Sequence, residues 1–210
     1  MFCEAAKRIR AEHQLLSDLD SVCGDGDHGT TMLRAMERLE TATAPSRAGD
    51  VKTILRDAGW SVLEVDGGAS SSLLGTFFSG MSDAPIATAS LDCAALTAAF
   101  EAGFKAMARQ TKAAPGDKTM MDALVPALQA LRVAADSGKC ITEALQAAAA
   151  AARAGAESTK NFTARYGRAK HLGEKTRGYQ DPGATSIALI FEGFATAVAE
   201  SKQGVGNARH

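Results

Sequence analysis

The chain has 210 residues, a formal net charge of −1 and an apolar fraction of 46%. This length can bury a sizeable core in one domain, and a near-neutral chain has no overall attraction for nucleic acid or acidic membranes. No apolar run reaches the length of a membrane span, residues 1–20 lack the apolar core of a signal peptide, and the four cysteines form no CxxC pair. We therefore expect one domain, residues 1–210, in the cytoplasm, with neither nucleic acid nor a membrane as partner.

Hydrophobic residues repeat with a spacing near 3.6 along most of the chain, which predicts helices, and no stretch is a convincing strand. Asp50 and Asp92 are placed as N-caps, and Asp181 followed by Pro182 is typical of a helix start. Trp60 is expected in the core. The predicted helices, in chain order, cover residues 2–18, 31–40, 50–63, 73–81, 92–112, a segment after 119 that contains Pro126, 141–159 and 185–200. About eight helices with short connections indicate an all-α protein.

The densest polar motif is Leu19–Met32, where three aspartates fall within eight residues and alternate with glycines. Clustered carboxylates repel one another unless a cation lies between them, and Mg²⁺ prefers such oxygen ligands. A helix that begins near Thr30 would point its free N–H groups and the positive end of its dipole to the same place. Adjacent metal and anion sites suggest a nucleotide phosphate bridged by Mg²⁺.

Other interpretations of this motif compete with a metal–phosphate site. Gly24–Gly29 fits G-x-G-x-x-G literally, but a dinucleotide fingerprint follows a hydrophobic strand, whereas Leu15–Cys23 is polar. An EF-hand that started at Asp25 would need glycine and glutamate where the chain has Thr30 and Met36. A polar turn between two helices needs no ligand, and the residues alone leave that alternative open.

Two further stretches have the composition of phosphate sites. Gly67–Ser70 is a second glycine-rich junction before a helix, where backbone amides could contact phosphate; an ordinary helix–helix turn is the alternative. Residues 160–178, called the basic loop below, hold six lysines and arginines against a single acid, Glu174. Such a loop suits a lid over phosphates, and a solvated surface loop is the alternative.

Four motifs in order make the chain resemble the dihydroxyacetone kinase L subunit family, the nucleotide-binding half of these kinases. The motifs are the aspartate-rich stretch, Gly67–Ser70, Pro115–Met120, and Gly167–Ala169 together with Gln180–Thr185. They cover nearly the whole chain. The resemblance implies an antiparallel up-and-down eight-helix barrel with the nucleotide held by loops at one end.

The resemblance also implies a set of site residues. Asp20, Asp25 and Asp27 would hold Mg²⁺, with two ions expected, beside a bound ADP or ATP. The residues that would contact the nucleotide are His28, Gly29, Thr30, Thr31, Ala69, Ser70, Thr111, Met120, Arg168, Asp181, Pro182 and Gly183. No side chain is assigned as a certain catalytic group, so phosphoryl transfer would depend on the metal, His28 and Arg168.

No residue is suited to bind a ketose, a task that a separate K-type subunit performs in the family, so the chain is expected to be half of a phosphotransferase. Two chemistries remain open. ADP could be a retained coenzyme that a phosphotransferase-system protein rephosphorylates, or ATP could be consumed, with dihydroxyacetone or a related ketotetrose as acceptor. The C-terminal half resembles the phosphotransferase type more closely, so retained ADP is expected. A nucleotide-sensing module that binds a transcription factor is an alternative of another class, and a homodimer is left open.

Overall fold

The computed structural model of the chain describes residues 1–44, 50–86 and 91–207, with side chains as far as residue 201. Within these ranges the backbone forms eight α-helices and two 3-10 segments and no strand, so the predicted all-α class is confirmed. The helices are α1 (Phe2–Cys23), α2 (His28–Ala42), α3 (Val51–Leu63), α4 (Gly68–Met81), α5 (Cys93–Met107), α6 (Met121–Asp136), α7 (Ile141–Ser158) and α8 (Pro182–Asn207). The 3-10 segments, Thr159–Asn161 and Arg168–Thr176, lie between α7 and α8.

The helices form a closed ring. Each helix contacts the next one along the chain, and α8 contacts α1. The first residues of α2, α4, α6 and α8 all border one cavity, so these four helices begin at the same end and alternate helices run antiparallel. This is the up-and-down barrel that the resemblance implied. We call the end with the cavity the pocket end, and the end where α3, α5 and α7 begin the far end.

Phenylalanine rings fill the centre of the ring of helices. The Phe100 ring lies 5.7 Å from that of Phe77, 5.4 Å from that of Phe191 and 5.9 Å from that of Phe194, in edge-on or tilted contacts. All four side chains are buried. Burial of one such ring stabilises the fold by about 1.5–3 kcal/mol, and favourable ring pairs add about 0.5–1.5 kcal/mol. The aromatic core therefore holds α4, α5 and α8 together behind the pocket.

Helix α8 is apolar because it is a core helix. Residues Pro182–Ser201 include a stretch with mean hydropathy 1.3 and are long enough to cross a membrane, but 61% of that stretch is buried inside the protein. Its neighbours are α1, α6 and α7. Packing within the barrel accounts for the composition of this helix.

Several predicted helix boundaries differ from the structure, and the differences concern the pocket end. Helix α1 continues to Cys23 and stops at Gly24, so Asp20 lies in its last turn. Helix α2 begins at His28 and α4 at Gly68, both earlier than predicted, whereas α5 ends at Met107. Polar residues such as Asp20 lower helix propensity only slightly, and a glycine is the effective stop.

The prediction that Trp60 lies in the core is wrong, because this side chain is 59% exposed. The neighbouring Gly59 makes the contact between α3 and α4 instead: a Cβ on Gly59 would lie 2.2 Å from the backbone nitrogen of Ser79. A backbone approach this close needs a glycine. Helix α3 therefore turns the glycine toward the core and Trp60 toward solvent.

Candidate functional site

A pocket of about 650 Å³ lies at the pocket end and is bordered by all four helix connections there. Its volume falls within the roughly 300–1,000 Å³ of small-molecule sites. Most of the predicted site residues line it. They are Asp20, Asp27, His28, Ala69, Ser70, Thr111, Met120, Arg168, Asp181, Pro182 and Gly183. The barrel topology thus brings residues from five separate parts of the sequence to one cavity.

Gly29, Thr30 and Thr31 do not border the pocket, although the motif placed them at phosphate. Two of the three are buried in helix contacts. A Cβ on Gly29 would lie 1.9 Å from the carbonyl oxygen of His13, and a Cβ on Gly67 would lie 2.0 Å from the methyl group of Thr31. The N–H of Thr31 donates to the carbonyl of Asp27 at 2.9 Å. Gly29 and Thr31 therefore set how closely α2 approaches its neighbours.

The three predicted metal ligands lie together. One carboxylate oxygen from each of Asp20, Asp25 and Asp27 lies within 4.8 Å of the other two. Gly24 permits this arrangement, since a Cβ there would lie 2.2 Å from Oδ1 of Asp20. Burial, and then the nearby charge of Asp25, raise the pKa of Asp27 above its usual range. A divalent cation coordinated by these oxygens would relieve that repulsion, which fits the chemistry of Mg²⁺.

Arg168 of the basic loop reaches this aspartate cluster. Its Nη1 donates to Oδ1 of Asp25 at 2.9 Å. The Arg168 side chain is 64% exposed and that of Asp25 is 42% exposed, so the pair adds little to stability. Its importance is positional, because the guanidinium, a group suited to phosphate, stands beside the carboxylates at the pocket.

His28 is 6% exposed and makes two hydrogen bonds within the chain. Its ring Nε2 lies 2.6 Å from Oγ of Ser186, whose hydroxyl donates to the carbonyl of Pro182 at 2.9 Å, so Nε2–H is the donor of the first bond. Its backbone N–H donates to Oδ2 of Asp20 at 3.2 Å. Burial lowers the pKa of His28 to about 4, which leaves the ring neutral at pH 7. The predicted hydrogen bond from His28 to phosphate would require one of these partners to be exchanged.

The starts of four helices face the pocket. An α-helix leaves its first N–H groups without internal partners, and its N-terminus carries about half a positive charge. The N-cap residues of α2 and α4 accept no capping hydrogen bond through a side chain, whereas at α6 the hydroxyl of Thr119 accepts from the N–H of Met121 at 3.2 Å. At α8, Oδ2 of Asp181 accepts from the N–H of Ala184 at 2.7 Å, and burial raises the pKa of this carboxyl to about 7. The open helix starts could hold an anion, and the aspartate cluster beside them could hold a cation.

Part of the pocket lining is apolar. Met120 is 7% exposed and lies against Gly183, where a Cβ would come 3.5 Å from that of Met120. Leu73, Ala113 and Met121 continue this apolar part. Met adapts its shape to flat apolar ligands, so a purine ring would fit here next to the polar half of the pocket.

Several lining residues were not predicted from the sequence. Leu73 and Ala113 belong to no motif, and nothing in the sequence marks them. Tyr166 and His171 lie in the basic loop, which was recognised only as a whole. Lys118 stands inside the motif Pro115–Met120 but received no role, although it is 4% exposed. The available signal was a lysine that directly follows Pro115-Gly116-Asp117 within a recognised motif.

Several known proteins are similar to this chain. Residues 22–196 match the family model described as DAK2 domain. The ADP-binding subunit of the PEP-dependent dihydroxyacetone kinase from Escherichia coli K12 is 38% identical over 90% of this chain and 90% of that protein. The L-erythrulose 1-kinase of Mycolicibacterium smegmatis is also 38% identical, over 90% of this chain and 33% of that protein. The solved dihydroxyacetone kinase of C. freundii, in complex with AMP-PNP and Mg²⁺, superposes with a TM-score of 0.71 at 28% identity. That match covers 92% of this chain and 32% of the kinase, so the chain spans about a third of its length.

Proposed function

Because the chain belongs to the DAK2 domain family, we propose that it is the nucleotide-binding subunit of a dihydroxyacetone kinase, a phosphotransferase that works with a partner subunit. One observation carries the proposal: four helix N-termini border a single pocket together with Asp20 and Asp27, and Asp25 lies beside these two carboxylates. Anion and cation sites in contact match a nucleotide diphosphate with bound Mg²⁺.

The chain's own residues would divide the work of binding. Asp20, Asp25 and Asp27 would hold two Mg²⁺ ions, which when bound neutralise phosphate charge in the transition state. N–H groups in the first turns of α2 and α4 would donate to phosphate oxygens, and Arg168 would turn from Asp25 to a phosphate. Met120 would cover the adenine ring. The remaining predicted nucleotide contacts stay proposals of the same kind.

The acceptor requires a second protein. A second groove lies along the side of the barrel between α1, α7 and α8 and is lined by Arg8, Arg153 and Glu192. It is remote from the aspartate cluster, so a ketose bound there could not meet the nucleotide. We propose that dihydroxyacetone is held by a K-type subunit that docks at the pocket mouth.

We propose ADP as a retained coenzyme, rephosphorylated by a phosphotransferase-system protein. The relative from E. coli is named as an ADP-binding subunit of a PEP-dependent kinase. The basic loop also folds onto the pocket through the bond from Arg168 to Asp25, which favours slow release. The rival function is a kinase that consumes ATP and accepts a ketotetrose, which the equal identity to L-erythrulose 1-kinase favours.

The fate of the nucleotide separates these two functions. A consumed substrate must leave once per cycle, at a rate no slower than a typical kcat of about 10 s⁻¹, whereas a coenzyme must outlast many turnovers. The chain should be dialysed extensively in Mg²⁺, denatured and assayed for released nucleotide. Near-stoichiometric ADP supports the coenzyme. A site that exchanges labelled ADP within a second favours ATP as the donor.

A turnover assay tests the need for a partner. The purified chain alone should not phosphorylate dihydroxyacetone, and addition of a K-type subunit should start the reaction. Robust turnover by the chain alone would refute the half-enzyme assignment. Erythrulose offered in place of dihydroxyacetone identifies the acceptor, and light scattering of the same sample tests the homodimer that the resemblance left open.

We further propose that residues 1–210 act as one domain in the cytoplasm. The contact between α1 and α8 closes the ring and supports the single domain. Cys3, Cys23 and Cys93 are free thiols, which is typical of a reducing compartment.

A further inference from the structure

Lys118 is a buried cation to which the proposed chemistry gives no task. Its Nζ donates to the carbonyl of Thr159 at 2.7 Å and also to the carbonyl of Tyr179. These two residues directly flank the basic loop, residues 160–178, one on each side. A buried ammonium is costly unless it is hydrogen-bonded, and here two carbonyls from opposite ends of one loop provide the bonds.

The backbone at Lys118 is also in a costly conformation. Its φ is +60°, and among the described residues it is the only non-glycine residue with a positive φ. Such a conformation persists only where the surrounding structure enforces it. Asp122 provides that constraint, because its carboxylate accepts from the N–H of Gly116 and, at 2.7 Å, from the N–H of Thr119. The residues on both sides of Lys118 are therefore fixed to the start of α6.

The same connection holds the basic loop at a second place. Nη1 of Arg165 donates to Oδ1 of Asp117 at 3.1 Å, and the N–H of Arg165 donates to the carbonyl of Asp117 at 3.1 Å. The neck of the loop is closed as well, because the N–H of Gly178 donates to the carbonyl of Lys160 at 2.8 Å. The basic loop therefore packs against the connection between α5 and α6, which we call the seat of the loop.

We infer that Lys118 is a positioning residue for the phosphoryl-transfer site: it joins the two flanks of the basic loop and so holds Arg168 at the aspartate cluster. The exposed pair of Arg168 and Asp25 is too weak to fix a loop of this length by itself. We call the two hydrogen bonds from the buried Lys118 to Thr159 and Tyr179 the clasp. The clasp restricts the conformations of the basic loop before Arg168 binds Asp25 or a phosphate. This inference rests on the proposed function, since it assigns a role within the same site.

The test compares Lys118→Met with Lys112→Met, which removes an exposed lysine from the same connection. Release of ADP from the Mg²⁺ complex and tryptic cleavage of the basic loop in the nucleotide-free chain are measured for both variants. Lys118→Met should release ADP at least tenfold faster and be cut faster within residues 160–178, whereas Lys112→Met should match the wild type. Lys118→Arg keeps the charge and can donate to both carbonyls, so it should recover slow release of ADP. If Lys118 acted only by packing, Lys118→Met should instead release ADP more slowly than Lys118→Arg.

A double variant tests whether Lys118 acts through Arg168. In an Arg168→Ala background, Lys118→Met should add little further acceleration of ADP release. Fully additive effects, or unchanged release and cleavage in Lys118→Met, would overturn the inference. If Lys118→Met does not fold, Asp117→Asn decides the question, because it removes the carboxylate that pairs with Arg165 at the same seat and leaves every tryptic site of the loop in place. Faster cleavage and release in that variant support the seat, and wild-type values reject it. A wild-type chain that binds no ADP with Mg²⁺ would instead refute the proposed function, while the cleavage assay would still test the clasp.

Discussion

The two ends of the barrel differ in how the N–H groups at their helix starts find hydrogen-bond partners. At the far end, Asp50 accepts from the N–H of Thr53 at 2.7 Å and Asp92 from that of Ala95 at 2.8 Å, and α7 begins with a capping box. At the pocket end, the N-cap residues of α2 and α4 make no such bond, and Asp20 accepts only from the first N–H of α2, that of His28. Side chains complete the helix starts at the far end, as Thr119 and Asp181 do for α6 and α8, whereas the first turns of α2 and α4 leave donors available.

The contrast separates the parts of the chain that stabilise the fold from the parts that bind the ligand. A side-chain cap stabilises a helix start at all times, whereas an uncapped start donates to water until an anion binds. The pocket end also holds the three crowded carboxylates, which are unfavourable without a cation. Ligand binding should thus add at the pocket end the hydrogen bonds and charge balance that the far end has permanently.

Among the tests of this difference between the two ends, removal of the metal should have the largest effect, and it should act on ADP affinity at the pocket end. Three close carboxylates repel a polyphosphate unless Mg²⁺ lies between them, so ADP affinity measured by calorimetry should fall at least about 100-fold in EDTA. Asp27→Ala should reproduce that loss in the presence of Mg²⁺. It should cost little thermal stability, because the wild-type carboxyl already carries a raised pKa from burial and from Asp25. Asp50→Ala at the far end is the matched control and should bind ADP normally. Equal affinity with and without Mg²⁺ would remove the metal from the assignment.

The buried histidine at the start of α2 should make stability depend on pH. The pKa of His28 is about 4 in the folded chain, below its ordinary value of 6.5, because burial disfavours the charged ring. The folded state then binds fewer protons than the unfolded state, so the contribution is fully present above about pH 6.5 and is lost as pH falls toward 4. Between about pH 7 and about pH 4.5 the wild type should lose roughly 2–3 kcal/mol more than His28→Gln.

Urea unfolding of the nucleotide-free proteins measures this difference. Asp181, whose pKa burial raises to about 7, acts in the opposite direction, since its contribution is present at low pH and lost as pH rises through 7. It is common to both proteins and cancels in the comparison. An identical pH dependence for wild type and variant would mean that His28 is solvated in solution.

The fold could be predicted from the sequence because its signals are local. Hydrophobic spacing gave the helices, and Asp50 and Asp92 are N-caps as expected. Trp60 was misplaced because periodicity cannot say which face of α3 meets α4, and a glycine contact with Ser79 decides it. The end of α1 was misplaced because polar residues weaken a helix less than the glycine that follows them.

The site could be predicted only as a set of motifs. Most of the predicted residues came together in one pocket, but their partners are distant in sequence: Arg168 bonds Asp25, and His28 bonds Ser186. These pairs depend on closure of the ring, which no local pattern reports. The clasp at Lys118 was missed for the same reason, since its two carbonyl partners belong to residues beyond α7.

The smallest expected effect tests the far end. Asp50→Ala and Asp92→Ala each remove one capping hydrogen bond, and each should lower the free energy of unfolding by about 1 kcal/mol, measured by urea unfolding without nucleotide. The two caps begin different helices and share no partner, so the losses should add. ADP with Mg²⁺ at 100 times the wild-type Kd should then stabilise these variants by about 2.7 kcal/mol, as it does the wild type, and should stabilise Asp27→Ala by no more than about 0.4 kcal/mol. If the cap variants gained less from the ligand than the wild type, the far end would be coupled to the pocket, and the division between the two ends would be wrong.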